Sequence, residues 1–169
     1  MAKLNADVPP SAVAAAIAKS ASYTAPGADG IPYELLKCLP APAMHALARI
    51  YTSVLRTHKA PSAWKHGVVT MLYKKGDTED CSNYRGITLL PTIGKVFEHI
   101  LLTRLTRYAE KHGLLHNNQN AFRKNRSTDE HFFALMQAIH SNPSSIAVFV
   151  DIRKAYPTVF REGLFTKLA

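Results

Sequence analysis

The spacing of apolar residues changes twice between residues 43 and 110, and that change limits the chain to a mixed fold. From Ala43 to His58, residues Met44, Leu47, Ala48, Tyr51, Val54 and Leu55 share one face at helical spacing. Val68 to Tyr73 and Tyr84 to Leu90 are short apolar runs rich in strand formers. Between them lies the polar stretch KKGDTEDCSN (74–83), so the pair reads as a hairpin with a long connection. The helical period then returns. Pro91 opens a helix to about Glu110, with Ile93, Val96, Phe97, Ile100, Leu101, Leu105 and Tyr108 on its apolar side. A chain of this pattern is α+β.

The remaining segments follow the same logic. Ser11 is placed to cap the Ala-rich helix SAVAAAIA (11–18), with Pro10 just outside it. SYTAPGADGIP (22–32) carries Pro26, Gly27, Asp29 and Gly30, the punctuation of a turn. The Asn- and Arg-rich loop 114–128 leads to a helix from about Thr128 to His140. A buried terminal strand, Ile146 to Val150, is expected next, and a last helix starting near Pro157.

Charge narrows the partners. Lys and Arg exceed Asp and Glu by 9, the usual footprint of a nucleic-acid partner, although a basic membrane-surface protein has a similar balance. A hydrophobic content of 47% excludes a disordered chain. No apolar run approaches the ~18 residues of a membrane span, so no membrane partner is expected. Cys38 and Cys81 make no disulfide framework or metal-ligand spacing, which points to an intracellular setting. Zincin spacing, a Gly-rich phosphate loop, a nucleophile elbow and a CxxC pair are all absent. His112, His116, His131 and His140 therefore read as surface or core histidines.

Three constellations carry chemistry. Asp151 ends the apolar run, and a carboxylate there is costly unless it is paired or binds a cation such as Mg²⁺. Alternatively it caps the next helix or pairs with Arg153 or Lys154. Lys74 and Arg85, on facing strand ends, would close over a triphosphate; the alternative is a solvated turn. Arg123, Lys124 and Arg126 around Phe122 mix charge with an aromatic, as single-strand binders do. An ordinary loop with Phe122 tucked into the core, and Ser127 and Asp129 capping the next helix, fits the same residues.

Taken together, these segments resemble the reverse transcriptase of non-LTR (LINE-type) retrotransposons from about Thr24 to Ala169. APGADGIPYELLK (25–37) resembles the motif leading into the fingers. WKHGVVTMLYKKGD (64–77) and NYRGITLLPTIGKVFEHILLTRL (83–105) resemble the paired fingers motifs. QNAFRKNRSTDEH (119–131) resembles the family's Q-x-G-F-R-x-x-R-S-T element, and AVFVDIRKAYPTV (147–159) resembles motif A of the palm. Five motifs stand in the family's order.

The resemblance implies fingers and a partial palm of a right-hand polymerase, truncated before the Y/F-x-D-D motif. Its parts would be a helical lead-in (1–22), fingers (23–145) and the start of the palm (146–169). Asp151 would be the first metal-binding, catalytic aspartate, with the Ile152 carbonyl as a further ligand for two Mg²⁺ ions in the complete site. Arg85 and Lys74 would hold the triphosphate, and Tyr156 would exclude a 2′-hydroxyl. Gln119, Phe122 and Arg123 would follow the template–primer path. The implied partners are an RNA template, a DNA primer and a dNTP, met at nuclear DNA.

Three departures stand out. Pro157 replaces the family's usual Asp, and Ala121 its usual Gly. No Y/F-x-D-D occurs, and Glu162 is the one acid after Asp151. A single carboxylate cannot clamp two ions, so the chain alone is expected to polymerise nothing. A non-catalytic, basic nucleic-acid-binding remnant is the alternative, and an unstable relic a third.

Overall fold

The computed structural model describes residues 4–152, 155–156 and 158–168, and falls into two compact units, one through Leu115 and one from His116.

In the first unit, four helices each follow a proline. These are α1 (Pro10–Ala18), α2 (Tyr33–Lys37), α3 (Ala41–Thr57) and α4 (Thr92–Lys111), behind Pro9, Pro32, Pro40 and Pro91. Pro9, Pro32 and Pro40 are extended, Pro91 has φ −53 and ψ 132, and none makes a side-chain cap. Proline's fixed φ prepares the turn into a helix but leaves the first N–H groups needing acceptors from elsewhere. The expected cap at Ser11 is corrected here: Pro9 is the cap position and Pro10 the first helical residue. Proline suits that place because its missing N–H would be unpaired anyway.

The core gathers Val13 and Ile17 from α1, Leu36 from α2, Leu47, Tyr51 and Val54 from α3, and Val96, Phe97 and Ile100 from α4. Burying each large apolar side chain contributes about 1.5–3 kcal/mol. Tyr51, Trp64 and Phe97 meet at its centre, with ring centroids 5.3–5.8 Å apart. The expected faces of α3 and α4 pack, except that Leu105 is half exposed and Tyr108 stands outside the core, against His112, where α4 runs past it. The hydroxyl of fully buried Thr92 has no partner among the described residues.

The hairpin forms as the sequence predicts. β1 (Val68–Tyr73) and β2 (Tyr84–Leu89) pair antiparallel, in register from Val68 opposite Leu89 to Tyr73 opposite Tyr84. Val69 and Met71 on one face, and Leu72 and Ile87 on the other, are all exposed. A two-stranded ribbon is marginal alone. Its connection is held by its own bonds, including Tyr73 Oη to the Gly76 carbonyl (2.6 Å) and Tyr84 Oη to the Thr78 carbonyl (2.9 Å).

The second unit holds α5 (Thr128–Ser141) and α6 (Arg161–Leu168). Ser127 occupies the cap position of α5, but its side chain makes no capping bond. The last helix begins at Arg161, beyond the expected start at Pro157, which lies outside the described residues. The terminal strand expected at Ile146 to Val150 is not formed, and those residues are exposed rather than buried. A strand exists through its ladder, and among the described residues no segment pairs with this one.

Candidate functional site

The hairpin brings together one set of candidate residues. The Lys74 N–H donates to the Asn83 carbonyl at 2.8 Å, extending the ladder one pair past the strand ends. Arg85 stands opposite Leu72, so Lys74 and Arg85, on facing strand ends as expected, lie diagonally on one face. Diagonal neighbours are about 7–8 Å apart, close enough for two long cations to grip one polyphosphate. Both are exposed, and among the described residues neither has an ion-pair partner.

The connection partly offsets this charge, since Asp77, Glu79 and Asp80 follow Lys74 and Lys75. Asp80 is held below the usual carboxylate range by the Ser82 backbone N–H, then by the Ser82 hydroxyl. Positive charge is thus concentrated where the strands meet the connection.

The Asn/Arg loop is organised by Arg123. Its guanidinium donates to the carbonyls of His116 (3.0 Å) and Gln119 (3.3 Å), while the Gln119 N–H donates to the His116 carbonyl (3.0 Å). Phe122 has φ +61 and is 92% exposed, which overturns the reading of an aromatic tucked into the core. The left-handed backbone turns its ring outward. An exposed aromatic ring in a basic loop is the kind of platform on which unstacked bases settle. Arg126 pairs with Glu130 one helical turn on, at 3.3 Å.

Asp151, Ile152 and Tyr156 share one exposed segment. With no buried strand, the desolvation cost that singled out Asp151 does not arise here. Arg153, Lys154 and Pro157 lie outside the described residues, and with them the proposed pairings of Asp151. Among the described residues no three His, Cys, Asp or Glu side chains gather to hold a metal ion. Asp151 and the Ile152 carbonyl offer two oxygens, which fall short of the six or so that Mg²⁺ takes. The described residues therefore do not by themselves fit a two-ion centre.

Lys74 and Arg85 belong to the unit through Leu115, and the other candidates to the unit from His116. Cys38 and Cys81 are free and exposed. Among the described residues no helix is long and apolar enough to cross a membrane.

Sequence reasoning missed the residues that anchor the hairpin. Asp29, read as turn punctuation, accepts the Thr92 N–H at 2.7 Å from 63 positions away. Trp64 packs on Gly94 of α4 just before β1 begins. The one hint was the pairing of a rigid turn, PGADG, with a helix start that has no capping side chain of its own.

Residues 72–169 match the family model described as reverse transcriptase (RNA-dependent DNA polymerase). The chain is 32% identical over 164 residues to the probable RNA-directed DNA polymerase from transposon X-element of Drosophila melanogaster, covering 94% of this chain and 18% of the relative. It is 33% identical over 148 residues to the corresponding protein of transposon BS, covering 85% and 16%. It is 34% identical over 157 residues to the RNA-directed DNA polymerase from mobile element jockey, covering 89% and 17%. Both relatives come from the same fly. The chain thus spans less than a fifth of the length of these curated relatives. With the family match extending over more than half of its residues, the chain belongs to the reverse transcriptase family.

Proposed function

We propose that this chain is the fingers and the opening of the right-hand palm of a retrotransposon RNA-directed DNA polymerase. Such an enzyme extends a primer 3′-hydroxyl by attack on the α-phosphate of a dNTP opposite an RNA template. The observation that carries this reading is the extent of the family match. It begins inside β1 and runs through the hairpin, α4, the Asn/Arg loop and the Asp151 segment.

The chain's own part is binding and positioning. Lys74 and Arg85 hold the triphosphate as a diagonal pair of cations. Tyr156 lies against the sugar and selects deoxynucleotides. Phe122 stacks on an unpaired base, while Gln119 and Arg123 shape the loop beside the template–primer path. Asp151 and the Ile152 carbonyl would offer two oxygens to Mg²⁺, which would supply charge neutralisation at the phosphates. Holding two ions would take further carboxylates such as those of Y/F-x-D-D, a motif these 169 residues do not contain. The expected workplace is nuclear DNA.

The test exchanges this segment for its counterpart in the jockey polymerase. The 169 residues alone extend no primer with Mg²⁺ and dNTPs, whereas the folded chimera does. Asp151→Asn in the chimera lowers extension at least about a thousandfold, as loss of one member of a catalytic unit does. A folded chimera that extends nothing overturns the assignment. The alternative, a basic remnant that only binds, is favoured by the net charge of +9 and by the lack of a metal-binding cluster around Asp151 among the described residues. It would leave salt-sensitive RNA binding without extension.

A further inference from the structure

The hairpin is exposed along its length and held at its base. At the entrance to β1, Gly94 of α4 lies under Trp64, whose ring also meets Phe97 with centroids 5.8 Å apart. At the exit from β2, the loop 26–30 crosses the Leu90–Pro91 junction so closely that a Cβ on Gly27 would lie 2.3 Å from the Leu90 carbonyl. A turn closed by Gly30 N–H to the Gly27 carbonyl (3.1 Å), with Gly30 at φ +63, aims Asp29 at the start of α4.

Pro91 gives α4 no capping side chain, so Thr92 presents an N–H that needs an acceptor. Asp29 Oδ2 takes it at 2.7 Å, while Oδ1 accepts from Ile31 N–H at 3.4 Å within its own loop. The carboxylate also sets a negative charge at the positive end of the helix. Lys95, 5.1 Å from the centre of the Tyr33 ring, adds a second tie between this loop region and the first turn of α4.

We propose that Asp29 is a positioning residue: by capping α4 across the fold, it fixes the base from which β2 presents Arg85. The functional half of this proposal rests on the triphosphate role given above to Lys74 and Arg85. Arg85 lies four residues from Leu89 at the foot of β2, a lever of about 14 Å at the rise of an antiparallel strand. A tilt of about 10° at the base moves its Cα by about 2 Å over that length. A displacement of about 1 Å is enough to cost an enzyme a hundredfold in rate. A cap at the foot of the ribbon therefore governs the cation at its far end.

The test uses the 169-residue chain with Asp29→Ala and Asp29→Asn, the latter keeping one oxygen for the Thr92 N–H. Amide hydrogen exchange is followed in all helices and both strands, and dGTP binding by equilibrium dialysis. D29A is expected to speed exchange at Thr92 and along β2 about tenfold, a capping loss, while α1 and α3 stay as they were. It should weaken dGTP binding several-fold, with D29N close to the parent in both readouts. Unchanged exchange in the hairpin overturns the proposal. So does uniform acceleration in every helix, which would make Asp29 a general stabiliser. If the parent chain binds no dGTP, the role of Lys74 and Arg85 falls, and the exchange pattern still decides whether Asp29 holds the hairpin.

Discussion

The Tyr51 hydroxyl donates a 2.9 Å hydrogen bond to the Ile93 carbonyl, joining the middle of α3 to the first turn of α4. Tyr51 is fully buried, and burial, then the nearby Tyr33, pushes its pKa well above the usual tyrosine value. An unfolded tyrosine ionises near pH 10, so the folded state keeps this proton after the unfolded chain has begun to release it. The stabilisation is complete below about pH 10 and is lost as pH rises beyond that point. Tyr51→Phe should cost about 1 kcal/mol at neutral pH. It should also flatten the alkaline decline in stability, read from urea unfolding between about pH 9 and 12. An undiminished alkaline slope in the variant would show that another group sets it.

Arg104 ties the N-terminal segment to α4. Its two terminal nitrogens donate to the carbonyls of Leu4 (2.9 Å), Ala6 (2.6 Å) and Asp7 (3.0 Å). The Asp7 carboxylate is gripped from the other side by Arg56, and Val8 packs into the core. Arg104→Met keeps the apolar stem and removes the fork, at a cost of about 2 kcal/mol. Limited proteolysis should then cut between residues 4 and 9, and Arg104→Lys, with a single point charge, should fall between the two. Equal protection of that segment in all three proteins would refute the tie.

The two glycines of the 26–30 loop should respond differently to alanine. At Gly27 the added carbon meets backbone atoms of Leu90 and Pro91, which cannot step aside as a flexible side chain would. A cost of about 2–3 kcal/mol is expected, as for overpacking elsewhere. At Gly30 there is open space, and only φ +63 resists, for about 1–2 kcal/mol. Denaturation midpoints should rank Gly27→Ala below Gly30→Ala, and the reverse order would mean that loop and helix are not in contact.

Elements whose signal is local were legible from the residues. The face of α3 through Leu47, Tyr51 and Val54 follows from side-chain period, and β1 and β2 from runs of strand formers, although β2 ends at Leu89 rather than Leu90. What depends on distant partners was not. Ile146 to Val150 has the composition of a strand, but its ladder requires a neighbour that composition cannot name. Lys74 and Arg85 were recognisable as a pair, but their diagonal placement depends on a register that ends at Tyr73 opposite Tyr84. The Asp29–Thr92 bond was least accessible, because nothing near Asp29 says which of several helix starts it reaches.

The chain has a single tryptophan, and it stands at the foot of the hairpin, flanked by Tyr51 and Phe97 and resting on Gly94. Indole emission is sensitive to how closely such neighbours pack and how much water reaches the ring. Trp64 is therefore a built-in optical gauge of packing at the base of the ribbon. Tilting of the hairpin against α4, whether driven by a nucleotide, an RNA strand or a substitution, should register as a change in colour or brightness without any added label.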